Sequence, residues 1–382
     1  MKILHVVNIS FVLPYFIGNQ FDYFSDKGVR FFVACQPSKH LSEYALEKKF
    51  IPKELNILRE INPIEDVKAV FKLLKVIKAE NIDIVIGHTP KGGLIGLLAA
   101  YLGGVKNRVY FRHGLMYETS TGIKRMLLKS IERFTGFLAT KVVCVSSSVL
   151  LLSDKEKLSS VFKNILLNKG TCNGIDAIHR FNKANINAEN VSNLKIKYGI
   201  SSDDKVIGYV GRLVTDKGIN ELLSAWKKLL EIHSNIKLLL VGPLEERDAL
   251  SDEMKEFIKS TPSIIHTGLI KEVDAYYCLM NMFILPSFRE GFPTVVLEAS
   301  AMELPILTTR ATGCIDSILE NETGVFIDID PEDIKLKLDQ YLKQPLLAEA
   351  HGKNGRSFVL ENYDQMKIWK EIENKVLELN SK

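Results

Sequence analysis

The chain has 382 residues, of which 46% are hydrophobic and 25% are charged. A chain of this length and composition forms two or three domains with cores of their own, which excludes intrinsic disorder as its main state. The formal charge of +4 hides an asymmetry, because residues 1–180 carry 26 Lys and Arg against 15 Asp and Glu, whereas residues 181–382 carry 24 against 31. We therefore expect the basic first half to meet an anionic partner, either a membrane surface or phosphate groups.

Short β-branched runs alternate with longer helical patterns along the first half. The opening residues, MKILHVVNIS, superficially resemble a secretory signal, but His5 and Asn8 interrupt the apolar run and favour a first β-strand. The apolar stretch 92–105 is shorter than the about 20 residues that cross a bilayer and is predicted to be a buried helix. The predicted strands are 3–7, 29–35, 82–88, 108–113, 141–146 and 164–170.

A polar stretch over 172–205 precedes a second series of strands and helices. The predicted strands are 206–212, 236–242, 264–268, 282–287, 305–309 and 324–328. Strands this apolar are typical of parallel sheets covered by helices. We predict a first domain over 1–170, a linker over 171–205, a second domain over 206–362, and a C-terminal helix over 363–382 that packs back toward the first domain. Ligands of such sheets bind at the carboxyl ends of the strands, which predicts a cleft between the domains.

The five cysteines argue against a disulfide framework or a zinc site. They are odd in number and include no Cys-x-x-Cys pair. This usage favours a reducing cytosol.

The segment FREGFPTVVLEAS (288–300) carries the densest site signal in the chain. Its loop contains Gly291, which permits close backbone approach, and Pro293, which suits the first turn of a helix. The free N–H groups of Phe292–Thr294 would face an anion such as a diphosphate. Glu290 and Glu298 flank this turn, where a carboxylate is costly unless it holds a group such as a sugar hydroxyl. The alternative is a pair of solvated surface charges.

A second strand-to-helix turn lies in GYVGRLVTDKG (208–218). Gly211 ends the predicted strand, and Arg212 and Lys217 bring two cations to the start of the next helix. This arrangement predicts a diphosphate pocket that needs no metal ion, and the alternative is an ordinary loop with two surface cations. Gly242 ends the neighbouring predicted strand in LLLVGP (238–243) and is a further candidate.

Together these motifs resemble the retaining glycosyltransferases of family 4, which have the GT-B fold. The family pattern reads Gly-Arg, Lys-Gly, then Glu-Gly-Phe/Leu-Pro and a second Glu, with seven residues between the glutamates as between Glu290 and Glu298. The segments NGID (173–176) and LLLVGP are similar to further family signatures. The implied fold class is α/β, with two doubly wound Rossmann-like domains facing each other across a cleft. The first would bind the acceptor and the second the nucleotide sugar.

The resemblance also implies a role for each candidate. Arg212, Lys217 and the amides of Phe292–Thr294 would stabilise the leaving diphosphate. Glu298 would accept the ribose hydroxyls. Glu290 would hold the sugar hydroxyls or support an oxocarbenium-like transition state. Among the donor-binding candidates are also Gly211, Gly242 and Gly291.

The first half resembles a bacterial subgroup of the family that builds capsule, O-antigen and exopolysaccharide units. The resemblance rests on HTPKGGLIGLLAAYLGGV (88–105) and FRHGLMYE (111–118), and it implies that His113 orients the donor sugar. His88 ends the preceding predicted strand and is a second candidate near the cleft, together with Arg112 and Gly18. For both histidines, a structural role at a strand end is the alternative.

The loop after the first strand, NISFVLPYFIGNQ (8–20), departs from the family pattern. Family members usually carry a Gly-Gly pair there, where the backbone approaches the diphosphate and the acceptor. This loop has only Gly18 and is otherwise aromatic and apolar. It argues against a glycine-based phosphate contact and favours an apolar or lipid-linked acceptor. A second departure is Asp316, where many family members have Glu.

The segment 106–141 carries eight cations against two carboxylates. Within it, residues 123–138 have a helical pattern with apolar residues on one side and cations on the other. Such a helix can lie on an anionic membrane surface, and the alternative is a helix packed on its own domain. The candidate membrane residues are Lys124, Arg125, Lys129 and Arg133. We therefore expect a cytoplasmic location, or peripheral attachment to the cytoplasmic face of the inner membrane.

The predicted function is transfer of a hexosyl or N-acetylhexosaminyl residue, with retention, from a nucleotide sugar to a lipid-linked saccharide in surface polysaccharide biosynthesis. UDP is the expected nucleotide, and no other cofactor is expected. Because the diphosphate pocket at Arg212 and Lys217 needs no metal ion, metal independence is predicted, and no nucleic-acid-binding motif is recognisable. Two alternatives remain. A nucleotide-sugar 2-epimerase would need further catalytic carboxylates and histidines in the first domain, and a non-catalytic scaffold would serve a polysaccharide assembly complex.

Overall fold

The computed structural model describes residues 1–58, 62–246 and 248–379. The last three residues of the predicted segment 363–382 lie outside these described residues. The chain divides into two compact units, one formed by Met1–Gly174 with Met366–Lys382 and the other by Ile175–Gln365. The polar stretch 172–205 therefore falls mainly in the second unit, and the C-terminal residues belong to the first.

The first unit contains a parallel seven-stranded sheet. Its strands are β1 Lys2–Val6, β2 Arg30–Cys35, β3 Ile51–Glu54, β4 Ile84–His88, β5 Asn107–Arg112, β6 Lys141–Cys144 and β7 Asn164–Leu166. They are ordered β3-β2-β1-β4-β5-β6-β7, so the chain moves outward in one direction from β1 and in the other from β4. This reversal makes the carboxyl ends of β1 and β4 the expected ligand position of the sheet.

Helices cover both faces of this sheet, as expected for parallel strands that are apolar on both sides. They are α1 Leu13–Phe16, α2 Gln20–Ser25, α3 Lys39–Lys48, α4 Pro63–Glu80, α5 Pro90–Leu102, α6 Gly122–Leu138 and α7 Ser147–Lys155. The predicted apolar helix 92–105 corresponds to α5, whose first turn is capped by the Thr89 hydroxyl accepting from the Gly92 amide. Within the described part of the chain, no helix combines the length and the hydropathy needed to span a bilayer.

The second unit repeats the same architecture with six parallel strands. These are β8 Lys205–Val210, β9 Ile236–Val241, β10 Ile264–His266, β11 Met282–Leu285, β12 Ile306–Thr309 and β13 Gly324–Ile327. Their order is β10-β9-β8-β11-β12-β13, with the reversal between β8 and β11. The helices are α8 Ala188–Lys197, α9 Ile219–Leu229, α10 Asp252–Ser260, α11 Asp274–Tyr277, α12 Thr294–Ala301, α13 Pro331–Lys343 and α14 Pro345–Asn362. Helix α15 Gln365–Glu371 continues into a π-helix over Ile372–Leu377, and from Met366 onward these residues belong to the first unit. The predicted α/β class with two doubly wound Rossmann-like units is confirmed.

Two elements escape the apolar patterns on which the prediction relied. The strand β3 reads IPKE, and its Pro52 is tolerated because β3 is an edge strand whose only neighbour is β2. Helix α8 lies in the polar stretch 172–205, and only its partly buried Val191 and Leu194 pack on the core of the second unit. Both elements carry too few apolar residues to be predicted from apolar periodicity.

Helix α6 leaves much of its apolar side exposed. Its buried residues are Glu132, Thr135, Gly136 and Leu138, whereas several large apolar side chains face solvent. Glu132 is buried because it pairs with the fully buried Arg112, whose Nε lies 3.1 Å from the carboxylate. The same carboxylate accepts a hydrogen bond from the Tyr110 hydroxyl at 3.0 Å. A buried charge needs such partners, so this pair holds Glu132 of α6 against the sheet.

We expect Glu132→Ala to lower the free energy of unfolding by about 3–5 kcal/mol, because the Arg112 guanidinium is left buried without its carboxylate. The double variant Arg112→Met with Glu132→Leu removes both charges and should recover most of that loss. Urea unfolding followed by circular dichroism measures both. Equal losses in the single and the double variant would contradict a dominant role for the ion pair.

Candidate functional site

The candidate site of the second unit lies where its strand order reverses. The loop after β8 contains Arg212 and Lys217, and the loop after the adjacent β11 contains Glu290 and Gly291. Because the carboxyl ends of neighbouring parallel strands meet at one edge of the sheet, residues far apart in sequence are brought together here.

Lys217 and Glu290, both predicted as catalytic, form an ion pair in this position. The Lys217 Nζ lies 2.5 Å from Oε1 of Glu290, and both side chains are mostly buried. The Arg289 carbonyl also faces Lys217 Nζ, at 3.4 Å. Because the carboxylate already fixes the lysine side chain at the edge of the sheet, the ammonium group can bind an anionic ligand without a further loss of side-chain freedom.

A second ion pair ties the same two loops together. Arg289 Nη2 lies 2.9 Å from Oδ2 of Asp216, and the Asp216 carbonyl accepts from the Phe288 amide at 3.1 Å. Neither Asp216 nor Arg289 was singled out from the sequence. Charged residues beside a motif are usually solvated, so only the pairing of the loops identifies these two as supports of the site.

Two glycines permit the close approach of these loops. Gly218 has a φ of +69°, and a Cβ there would lie 2.0 Å from the Pro286 carbonyl oxygen. Gly313, in the loop after β12, has a φ of +79°, and a Cβ there would lie 2.4 Å from the Gly291 carbonyl oxygen. Any other residue at Gly218 would push away the backbone of Pro286, directly after β11, and any other residue at Gly313 would push away the Glu290–Gly291 backbone.

Helix α12 begins at Thr294, directly after the loop, with Pro293 as its N-cap residue. The first turn of α12, where the sequence predicts an anion site, therefore lies at the carboxyl edge of the sheet. Glu298 lies one turn further and is buried, and it accepts a hydrogen bond from the Tyr277 hydroxyl at 2.7 Å. Burial raises the pKa of the Glu298 carboxyl, which the Tyr277 hydrogen bond partly offsets.

Arg212 is more exposed than Lys217, with 48% of its side chain accessible and an ion pair to Glu245 at 2.9 Å. The neighbouring Gly211 has a φ of +152°, and its carbonyl oxygen would lie 1.9 Å from a Cβ on Gly242. The two glycines thus let the loops after β8 and β9 approach each other. Their observed role is backbone geometry, which leaves Arg212 as the side chain that can reach a ligand.

The acceptor candidates of the first unit separate into different environments. Arg112 is fully buried and bound to Glu132, so its guanidinium has no access to an acceptor and the structure removes it from the candidates. The cause is strand alternation, which points Arg112 away from the face that carries His113. Gly18 has a φ of +53° and packs within contact distance of the Pro14 carbonyl and the Asn173 side chain. The geometry of the turn therefore accounts for a glycine at position 18.

His88 and His113 are brought together, and a third histidine joins them. His88 Nδ1 lies 2.9 Å from His113 Nε2, and His88 Nε2 lies 2.9 Å from Nδ1 of His5. Burial lowers the pKa of His5 and of His113 to about 3, and burial together with its two histidine neighbours also lowers the pKa of His88. All three imidazoles are therefore neutral at pH 7. In the sequence, His5 is notable only because it interrupts an apolar run. No local pattern predicts its hydrogen bond to His88.

Across residues 1–58, 62–246 and 248–379, no group of three or more His, Cys, Asp or Glu side chains has an arrangement suited to a metal ion. The charged groups gathered at the second sheet are instead cations with single carboxylate partners. A cation, free helix amides and carboxylates together suit a ligand that carries both phosphate and hydroxyl groups.

Two Rossmann-like units with such a site at the strand reversal of the second unit define the class of GT-B glycosyltransferases. The family described as "Glycosyl transferase 4-like" matches residues 2–146, and "Glycosyl transferases group 1" matches residues 190–358. The chain is 32% identical over 374 residues to the capsular polysaccharide biosynthesis glycosyltransferase CapM of Staphylococcus aureus, covering 97% of this chain and 96% of that protein. This chain belongs to family 4 of the GT-B glycosyltransferases.

Further relatives and solved structures agree with this assignment. The UDP-Gal:alpha-D-GlcNAc-diphosphoundecaprenol alpha-1,3-galactosyltransferase of Escherichia coli is 25% identical, over 87% of this chain and 85% of that protein. Anabaena HepE in complex with UDP-glucose has a TM-score of 0.81 at 16% identity, with full coverage of both chains. A glycosyltransferase from Rickettsia africae has a TM-score of 0.80 at 21% identity, over 99% of this chain and 98% of that chain. These structures share the fold of this chain.

The neutral histidines predict a pH dependence of stability. Their pKa in the folded state lies below the ordinary value of 6.5 that applies when the chain unfolds. The unfolded chain thus binds more protons as the pH falls, so stability is complete above about pH 6.5 and declines by about 1.4 kcal/mol per histidine for each pH unit below it. Urea unfolding between pH 7.5 and pH 5.5 measures this slope. His5→Phe should flatten it, the exposed His179→Gln should not, and equal slopes in all three proteins would contradict the assignment.

Proposed function

We propose that this glycosyltransferase transfers a hexosyl or N-acetylhexosaminyl residue, with retention of configuration, from a UDP-sugar to a lipid-linked saccharide in surface polysaccharide assembly. The observation that carries the proposal is the Lys217–Glu290 ion pair beside the free N-terminus of α12. Family membership sets aside the 2-epimerase alternative. The non-catalytic scaffold is the outcome against which the activity test is designed.

The leaving nucleoside diphosphate gains negative charge as the glycosidic bond breaks. Lys217, Arg212 and the first N–H groups of α12 supply preorganised positive charge for it. Glu290 holds Lys217 in place in the free enzyme, and its second carboxylate oxygen remains to accept a sugar hydroxyl or to face the oxocarbenium-like centre. With this charge balance we expect transfer to proceed without a divalent cation.

Glu298 and His113 are assigned to the two ends of the donor. Glu298 is a hydrogen-bond acceptor for the ribose hydroxyls, and the Tyr277 hydroxyl fixes its orientation. His113 orients the sugar, a role that its family resemblance implies. His113 can make its hydrogen bond to the sugar as a neutral imidazole. Glu298 can accept from the ribose hydroxyls without moving from its buried position.

The donor and acceptor classes rest on the relatives. One is named as a galactosyltransferase that uses UDP-Gal and a diphosphoundecaprenol-linked sugar. Another, from Campylobacter jejuni, is named as an N-acetylgalactosaminyltransferase for a diphospho-undecaprenol-linked sugar and is 24% identical over 80% of this chain. The aromatic loop after β1, with Phe11 and Tyr15 exposed, suits an acceptor that carries a lipid.

We expect Lys217→Ala and Glu290→Gln each to reduce kcat by about 10², the scale of losing one transition-state electrostatic contact. The assay measures UDP release from UDP-sugars in the presence of a polyprenyl-diphosphate-linked acceptor. Lys227→Ala is the matched control, because Lys227 pairs with Glu253 at the surface of the same unit.

Two outcomes of this assay would contradict the proposal. Wild-type turnover in both Lys217→Ala and Glu290→Gln would place the chemistry elsewhere. Loss of activity in EDTA that manganese restores would overturn metal independence. A folded protein without turnover on any UDP-, GDP- or ADP-sugar, and without a thermal shift with these nucleotides, would favour the scaffold.

The outward face of α6 provides the surface through which this enzyme would meet the membrane. The α6 surface consists of the exposed apolar side chains Ile123, Met126, Leu127, Phe134, Phe137 and Phe162. Ile123 is 81% exposed and Phe162 is 97% exposed. Phe162 belongs to this surface because its neighbour Lys163 donates hydrogen bonds to the carbonyls at the end of α6, including that of Phe137 at 3.0 Å.

An anionic lipid surface is the occupant that fits the α6 surface. Cations flank it, and of the four predicted membrane residues, Lys124 and Arg133 are exposed. Arg125 and Lys129 instead lie 3.8 and 2.8 Å from the Glu156 carboxylate, which partly neutralises them. The apolar side chains would enter the interface between headgroups and acyl chains while the cations meet the headgroups. Bound in this way, the enzyme would lie on the leaflet that carries a lipid-linked acceptor.

We expect Phe137→Asp combined with Phe162→Asp to abolish sedimentation with vesicles of phosphatidylglycerol and phosphatidylcholine, because charged side chains cannot enter the interface. Lys124→Glu should weaken binding and increase its sensitivity to salt. Leu46→Asp, at an exposed position of α3, is the control. Unchanged sedimentation of the double variant would end the membrane assignment, and a change of oligomeric state instead would point to a second copy as the occupant.

A further inference from the structure

His5, His88 and His113 form a diagonal row across three adjacent strands, here called the histidine row. His5 of β1 pairs with Ile86 of β4, and His88 lies two residues beyond Ile86. His88 in turn pairs with Phe111 of β5, and His113 lies two residues beyond Phe111. Because residues two apart share one face of a sheet, each histidine stands one step nearer the carboxyl edge than the last. This places successive rings at hydrogen-bond distance.

The tautomers of the three histidines depend on one another, as a count of their N–H groups shows. A neutral imidazole has one N–H, and each of the two hydrogen bonds needs one proton. If His88 carries its proton on Nδ1, His113 must accept at Nε2 and carry its own proton on Nδ1. If His88 carries it on Nε2, His113 must donate from Nε2 and present a bare Nδ1. The tautomer of His5 changes together with that of His88 in either case.

The row has one open end. His5 and His88 line a small cavity whose other described walls are apolar side chains and Gln20, with no charged group among them. His113 is the only member beyond the end of its strand, and its Nε2 is committed to His88. Only Nδ1 of His113 therefore remains for a ligand, and whether it donates or accepts is decided by the two rings behind it.

The aromatic loop after β1 supplies the remaining constraint on His113. The Phe16 ring stacks on the His113 ring with centroids 3.6 Å apart and an angle of 10° between the planes. It also stacks on His88 at 5.8 Å. Rotation of His113 about its χ2 would break both the stacking and the hydrogen bond to His88. The apolar character of the loop thus has a use in the free protein, before any acceptor is considered.

We propose that His5, His88 and Phe16 are positioning residues that hold His113 in one orientation and one tautomer, so that its Nδ1 presents a fixed hydrogen-bonding role to the donor sugar. The contact with the sugar rests on the proposed function, whereas the fixed tautomer does not. A sugar hydroxyl can donate or accept, so a fixed partner selects one hydroxyl rotamer and thereby one arrangement of the sugar.

The tautomer is measured without substrate. In protein labelled with ¹⁵N-histidine, the ring nitrogens of His113 should show one N–H and one bare nitrogen, assigned by loss of the signals in His113→Gln. In His5→Phe, the His88 Nε2 loses its partner, so His113 should shift toward a mixture of tautomers. In His5→Asn, the amide lies near the position of Nδ1 and should restore the wild-type pattern. Unchanged His113 ring signals in His5→Phe would overturn the proposal.

Steady-state kinetics of the same variants provide a second test of the positioning role. We expect His5→Phe and Phe16→Leu to reduce kcat at least about tenfold with a smaller change in KM for the nucleotide sugar, and His5→Asn to recover most of the loss. Thermal unfolding at pH 7.5 identifies variants that simply fail to fold. A shifted tautomer with wild-type kcat would overturn the positioning role.

The two proposals fail in different ways. If no UDP-sugar is turned over by the wild-type protein while the His113 signals respond to His5→Phe and recover in His5→Asn, the proposed function fails and the positioning of His113 stands. If the sugar is transferred while the ¹⁵N ring signals of His113 are unchanged in His5→Phe, the positioning proposal fails and the proposed function stands.

Discussion

The reversal of strand order in the middle of each parallel sheet is the constraint on which the rest of the structure depends. It occurs between β1 and β4 in the first unit and between β8 and β11 in the second. Chain connections leave in opposite directions there, so the carboxyl ends of two central strands are left uncovered. Lys217 and Glu290, 73 residues apart in sequence, meet at one reversal. His5 and His88, 83 residues apart, meet at the other.

Burial of polar groups is the second organising influence, and it acts on both sides of the first sheet. On one face, the buried Arg112 pairs with Glu132, which holds α6 against the sheet while part of its apolar side stays exposed. On the other face, the buried imidazoles of the histidine row satisfy one another without any charge. Strand alternation separates the two systems, because the neighbouring residues Arg112 and His113 point to opposite faces. The buried ion pair and the histidine row thus begin at neighbouring residues of one strand end.

Sequence motifs predicted the parts of the candidate site that are local in the chain. The turn after β11 and the start of α12 follow from glycine and proline chemistry, and the Lys217–Glu290 region was expected at one edge of the sheet. The supports of that site, Asp216 and Arg289, were not predicted because their roles exist only when two loops pair. Edge strand β3 and helix α8 were missed because they carry few apolar residues, and apolar periodicity was the signal used.

The sequence by itself determined the α/β class, the two doubly wound units and the family, because these depend on the alternation of apolar runs and on short motifs. Tertiary structure alone decided which polar residues are partners. Arg112, an acceptor candidate, forms a buried ion pair, α6 leaves part of its apolar side exposed, and His5 lies in one row with His88 and His113. The physical reason is that a charge or an imidazole is placed by the group that satisfies it, and that group lies on another strand or helix at a sequence distance that no local pattern records.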